Sequence, residues 1–232
     1  MSTSDTLVRS QSGAAKAVPD AGNRAAAEAI RVAVVEDDER LRRALAFQLG
    51  TAGFRVIALA SAEEFLKIAD ASAFDCIVLD NFLPKMNGLQ LQAELHRTVP
   101  FVSVVFITGH SDLSLGMYAM RNGAVDFLEK PVDDEVLFAA IIRGADLSRK
   151  RRADSAQRVD LEKRQKGLTP REREVFALIT TGLLNKQVGA ELGTTERTVK
   201  AHRERVMSKM GARSLADLVR MAGTLQLHSR GQ

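Results

Sequence analysis

A single cysteine, Cys76, stands in 232 residues. No internal disulfide can form, and a reducing compartment, the cytoplasm, is expected. No apolar run approaches the roughly 18 residues needed to span a bilayer, so no membrane partner is expected. The start of the chain has no apolar core of the kind a secretion signal carries. Residues 1–28 are small, polar and alanine-rich, which predicts a disordered tail. Against these absences, 45% of the residues are hydrophobic, enough for real cores. The length suits one to two domains of roughly 100–150 residues each.

Charge is unevenly divided. Residues 1–150 hold 16 Lys/Arg and 20 Asp/Glu, a net −4; residues 151–232 hold 17 and 9, a net +8. An acidic first part suits metal or phosphate chemistry, and a basic second part suits nucleic acid. A merely solvated basic surface is the plain alternative.

In the first part, apolar runs alternate with amphipathic ones. Strands are expected over Ile30–Val35, Arg55–Ala60, Cys76–Asp80, Phe101–Ile107 and Ala124–Leu128. Helices are expected over about Glu39–Ala52, from a capping box at Ser61–Glu64, over Gly88–His96, over Asp112–Asn122, and from Asp133 past Ile142. Five strands alternating with five helices predict an α/β fold, a doubly wound five-stranded parallel sheet covered on both faces. Ligands of such sheets bind at the carboxyl ends of the strands. There the sequence places Glu36 and Asp37, Asp80, Thr108 and Lys130. Each alone reads more simply as a helix cap or an exposed charge. All five at four strand ends point instead to a site for phosphoryl transfer to a carboxylate, with a hard divalent cation compensating the acids.

Residues 144–167 carry the run Arg149-Lys150-Arg151-Arg152 and apolar residues too sparse for a heptad seam. A charged helical spacer and a disordered tether are both allowed; the basic run itself reads as solvated, with a phosphate contact as the lesser alternative. Beyond it, Thr169, Pro170 and Glu172 mark a sharp helix start. A short helix over Asn185–Leu192, a turn at Gly193-Thr194-Thr195 and a longer helix over Glu196–Met210 make a helix-turn-helix pattern, with a fourth helix from Ser214 to about Met221. At about 100° per residue, Val199, Val206 and Met210 fall on one side of the longer helix. Arg197, Lys200, Ala201, Glu204 and Ser208 fall on the other, a face able to enter a major groove. Lys186, Thr194, Thr195 and Arg205 are placed to meet phosphates, Thr198 and Arg203 are further candidates for DNA binding, and His202 reads as a packing or phosphate-contact histidine.

The acidic pair, an Asp followed by a Pro-x-x-x-Gly turn, a Thr and a Lys-Pro, in that order, resemble the receiver domain of two-component response regulators over residues 30–147. Leu168–Val175, Asn185-Lys186, Arg197–His202 and Lys209-Met210 resemble the LuxR-type DNA-binding domain over 166–227. The whole resembles a response regulator of the NarL/FixJ class, with a receiver at 29–147, a linker at 148–166 and a small all-α helix-turn-helix domain at 167–227. The resemblance implies Asp80 as phosphoacceptor and Mg²⁺ held by Asp37, Asp80, the backbone carbonyl of Phe82 and, partly through water, Glu36. It implies Thr108 and Lys130 on phosphoryl oxygens, and Phe127 as the switch aromatic. It also implies a cis Lys130–Pro131 bond as a common family feature, and base contacts from Lys200, Ala201 and Glu204. Leu215 and Leu218 would help pair two DNA-binding domains. The implied partners are a histidine kinase, double-stranded DNA, a second copy on phosphorylation, and RNA polymerase, with an activator role favoured and enzymatic activity not expected. Glu36 in place of the commoner Asp, Phe127 in place of a Tyr, and Glu204 in place of a Lys depart from other members. Two alternatives stand beside this reading: a phosphorylation-independent DNA binder with a scaffold receiver, and a metal-dependent phosphohydrolase. Against the hydrolase, Phe82 stands where a second acid–base carboxylate would follow Asp80.

Overall fold

A computed structural model describes residues 29–68, 70–109 and 113–229. The tail expected over 1–28 and the Asp112 start of the fourth helix lie outside the described residues. Five parallel strands, β1 (Arg31–Val35), β2 (Arg55–Leu59), β3 (Cys76–Asp80), β4 (Ser103–Thr108) and β5 (Asp126–Glu129), form one sheet in the order β2-β1-β3-β4-β5. The order reverses between β1 and β3, and that switch point opens a crevice at their carboxyl ends.

Every residue of β3 and β4 is buried, because helices cover both faces of a parallel sheet. Side chains alternate between faces. Val32, Val34, Cys76, Val78, Val105 and Ile107 meet Leu45 and Leu49 of α1 (Glu39–Thr51) and Leu137 and Ile141 of α5 (Asp134–Lys166). Ala33, Val35, Ile77, Leu79, Val104 and Phe106 face α2 (Ala62–Leu66), α3 (Gly88–Thr98) and α4 (Leu113–Arg121) through Phe65, Leu91, Leu95 and Ala119. Cys76 is inside this packing; burial first, then the nearby Asp75, pushes its thiol up to about 12, so it stays neutral.

Local signals set the helix starts. Asp38 caps α1 by accepting from the N–H groups of Arg40 and Leu41. Ser61 caps α2, but Glu64 closes on the N–H of Ala60 rather than on that of Ser61, so the expected box is displaced by one residue. Asn87 and Gln90 form a full capping box on α3, a pair readable in the sequence and not picked out there.

Helix α5 is one continuous helix of 33 residues. It runs through the whole linker segment 148–166, deciding between spacer and tether in favour of a helix. Its distal end enters the last four helices: α6 (Pro170–Ile179), α7 (Asn185–Glu191), α8 (Glu196–Met210) and α9 (Leu215–Ser229). Leu161 of α5 is buried there with Leu168, Val175, Ile179, Val188, Val199, Val206, Met210 and Leu218. The burial of Leu218 corrects one expectation: it is a core residue of its own domain and cannot face a second copy. Among the described residues no helix is long and apolar enough to cross a membrane.

Candidate functional site

The crevice is lined from three strand ends. Glu36 follows β1, Asp80 ends β3, and Lys130 follows β5. Lys130 Nζ donates to Asp80 Oδ2 and to Glu36 Oε2, each at 2.7 Å. The other Asp80 oxygen accepts the N–H of Phe82 at 3.0 Å, and Glu36 Oε1 accepts the N–H of Asp38 at 3.3 Å. Glu36 is 1% and Asp80 5% exposed, whereas Asp37 is exposed. The acids are thus walled on the sheet side and open on one side to solvent.

Burial pushes the Glu36 carboxyl above its ordinary range; the Lys130 hydrogen bond opposes this, and the Asp80 charge adds to it. Burial pulls Lys130 down, but its bonds to Asp80 and Glu36 outweigh that, and its ammonium titrates above the usual value. Both directions follow from one arrangement, in which two buried acids, Glu36 and Asp80, share one lysine.

Oxygens of Glu36, Asp37 and Asp80 lie within 4.8 Å of one another. Three carboxylates converging from two strand ends are an all-oxygen donor set, which fits a hard divalent cation such as Mg²⁺. Thr108 ends β4, fully buried, and its carbonyl accepts the N–H of Lys130 at 2.8 Å. Phe82 is half exposed beside Asp80. Phe127 lies half-buried on β5 with its ring 5.8 Å from that of Phe106. Gly116 of α4 packs on this ring; a Cβ there would sit 3.2 Å from it. The Lys130–Pro131 peptide is cis.

Two supporting features were not read from the sequence. Arg42 of α1 donates to the carbonyls of Glu36 at 2.7 Å and Asp37 at 3.0 Å, pinning the acidic turn from behind. Its place one helical turn into α1 was the available signal. Gly88 lets α3 start against Asp80: a Cβ there would stand 2.5 Å from the Asp80 carbonyl oxygen and 2.9 Å from the Phe106 ring.

The second site lies on α8. Val199, Val206 and Met210 are fully buried, which turns Arg197, Lys200, Ala201, Glu204 and Ser208 outward; all five are exposed, as are Thr198 and Arg205. Lys186 on α7 is exposed. Arg203 is half-buried and donates to Asn185 Oδ1 at 3.2 Å, tying α8 to α7. Thr195 caps α8, accepting the N–H of Thr198 at 3.2 Å. Thr194 is half-buried, and its N–H bonds the Gly189 carbonyl. His202 is half-buried on the flank. The short helix, turn and longer exposed helix match helix-turn-helix geometry.

Both parts of the chain match known families. Residues 32–142 match the response regulator receiver domain family, and residues 166–222 match the luxR family of bacterial regulatory proteins. Nodulation protein W of Bradyrhizobium diazoefficiens is 46% identical over 84% of this chain and 86% of its own length. Transcriptional regulatory protein FixJ of Rhizobium meliloti is 40% identical over 82% of this chain and 94% of its own. Among solved structures, response regulator StyR superposes with a TM-score of 0.73 at 38% identity, covering 84% of this chain and 99% of that one. Two acid-lined strand ends beside a lysine, a half-buried aromatic on β5 and an exposed basic helix after the turn therefore have one setting: the chain belongs to the two-component response regulators of the NarL/FixJ class, a receiver domain joined to a LuxR-type DNA-binding domain.

Proposed function

We propose that a histidine kinase phosphorylates Asp80, and that this modification controls pairing and sequence-specific DNA binding. The observation that carries the reading is the pair of 2.7 Å contacts by which Lys130 holds Asp80 and Glu36 together at the strand ends. In the reaction a carboxylate oxygen of Asp80 forms the new O–P bond while the N–P bond to the kinase histidine breaks. The electron pair of the broken bond returns to the imidazole. The Phe82 N–H orients one Asp80 oxygen, and Lys130 turns to a phosphoryl oxygen as the carboxylate charge is spent. Glu36, Asp37, Asp80 and the Phe82 carbonyl would hold Mg²⁺, which when bound supplies counter-charge to the acids and the phosphoryl group.

Thr108 then draws toward the phosphoryl group and the Phe127 ring moves inward, shifting a two-state face built from α4, β5 and α5. Leu113, Met117 and Met120 of α4 stand 79%, 47% and 46% exposed on that face, which supports its use for pairing two receivers. Two copies of α8 then meet a palindromic DNA site. Lys200, Ala201 and Glu204 face base edges, with Arg197 on the same groove face, while Lys186, Thr194, Thr195 and Arg205 meet phosphates and Thr198 and Arg203 flank the interface. Activation through RNA polymerase is the outcome this class of regulator supports.

The test is solution mass with Mg²⁺ and a beryllofluoride phosphoryl mimic, beside Asp80→Asn. A monomer-to-dimer shift confined to the unaltered chain is expected. No shift in either, with a monomeric resting mass, overturns pairing as the switch.

A further inference from the structure

The basic run Arg149–Arg152 belongs to neither site, yet two of its side chains, Arg149 and Arg152, pair with Asp75. Ser148 is fully buried where α5 leaves the sheet. Its hydroxyl donates to the Asp75 carbonyl at 2.6 Å, accepts the N–H of Ser103 at 3.0 Å, and lies 2.9 Å from the Ser103 hydroxyl. One turn on, Arg152 donates to Asp75 Oδ1 at 2.8 Å and to the carbonyls of Phe74 at 2.9 Å and Ser72 at 3.1 Å. Asp75 is 4% exposed, and its other oxygen accepts the N–H of Arg31 at 3.0 Å and faces Arg149 at 3.4 Å.

This cluster ties α5 to the amino-terminal ends of β1, β3 and β4, and Asp75 directly precedes the strand that ends in Asp80. A second attachment lies at the far end of the helix. Leu161 is buried in the DNA-binding domain, and Arg164 donates to the Met210 carbonyl at 2.8 Å, meeting the carboxyl end of α8. Gly211 makes room for it: its backbone is left-handed, φ 71°, and a Cβ there would collide with the Arg164 guanidinium. Among residues 149–160 no side chain is buried. A helix of about a dozen residues is marginal by itself in water, so this stretch stays helical only if both ends are held. From Ser148 to Arg164 the helix advances about 24 Å.

We propose that Asp75, Ser148 and Arg152 form a clamp that makes α5 a rigid shaft, fixing the orientation of the recognition helix relative to the receiver. Ser148 and Arg152 are positioning residues: they sit at the amino-terminal ends of the strands, opposite the end that carries Asp80. Released from the clamp, the DNA-binding domain hangs on a flexible segment and no longer senses Asp80. This last consequence rests on the phosphorylation reading above; the clamp itself does not.

The test uses the full chain. Spin labels on Arg43→Cys and Glu191→Cys, both exposed, report the distance between the domains, diluted with unlabelled protein; buried Cys76 stays unlabelled. A narrow distance distribution is expected in the parent chain and a broad one in Arg152→Ala and in Ser148→Ala/Arg152→Ala. A broad distribution in the parent, or a narrow one in both variants, overturns the clamp. Operator affinity with and without Mg²⁺ and beryllofluoride is then compared. The ratio should fall toward one in the variants, while Asp80 still takes up the mimic. An unchanged ratio with a broadened distribution overturns the coupling. A parent chain that does not respond to the mimic at all counts against the phosphorylation reading, and the distances alone then decide the clamp.

Discussion

Replacing Lys130 with methionine, which keeps the length of the side chain and removes its charge, isolates the electrostatics of the crevice. Lys130 is 20% exposed, and its partners Glu36 and Asp80 are 2% and 7% exposed at their side chains. Removing one member of a fully buried ion pair costs about 3–5 kcal/mol, because the remaining charge is left without a partner. Water reaches these acids on the side where Asp37 is exposed, so the expected loss is lower, about 2 kcal/mol. With a urea slope near 2 kcal/mol per molar, the unfolding midpoint falls by about 1 M. Tyr118 is the single Tyr in a chain without Trp and lies on α4, so tyrosine emission follows the receiver itself. Two rescues should work. Mg²⁺ at a hundred times its dissociation constant returns about 2.7 kcal/mol. Acid also restores stability. The folded-state pKa of Glu36 is already raised above 4.5 and rises further without Lys130. The folded chain therefore binds more protons than the unfolded one between those values, and stability increases as pH falls through that window. A loss under about 0.5 kcal/mol, or a loss that neither Mg²⁺ nor acid reverses, refutes the account of Glu36 and Asp80 sharing one lysine.

Glu172 behaves in the opposite sense. Its bond to Lys209 at 2.6 Å, then the Thr169 N–H, hold its carboxyl down at about 2. Its contribution to the C-terminal helices is complete above the ordinary 4.5 and is lost as pH falls toward 2. Glu172→Gln should flatten the acid limb of a dichroism titration over that range; an unchanged limb would remove Glu172 from the account. Lys186→Ala should weaken binding to every DNA sequence by the same factor and reduce the slope of log affinity against log salt by about 0.9. A loss restricted to the operator would reassign Lys186 from phosphate to base.

The strands were legible because buried parallel strands are continuous apolar runs, and Cys76–Asp80 is one without interruption. Helix starts were legible where a cap lies within four residues, as at Thr169 and Glu172. The candidate site residues came into view because they stand at strand ends, which the same runs mark. What could not be read depends on partners far away in the chain. Arg149 and Arg152 look solvated until Asp75, 74 and 77 residues earlier, is brought to them. The distal half of α5 has no apolar stripe to announce a helix; Leu161 alone anchors it in the core of another domain. The pairing role expected of Leu218 came from the resemblance alone, and only the packed bundle of α6 and α8 shows that this side chain is buried.

The attachment of α5 also bears on how chains of this kind can be recombined. Similarity to the receiver family stops at residue 142, which invites a junction there when a receiver is grafted onto a foreign output domain. Ser148 and Arg152 lie beyond that point and belong physically to the receiver floor. A graft cut at 142 would leave the Asp75 carboxylate buried without its arginine and open the floor of β3 and β4 to solvent. The transplantable unit therefore extends through Arg152, and a matching recipient should begin far enough upstream to keep its own counterpart of Leu161 and Arg164 in phase with the incoming helix.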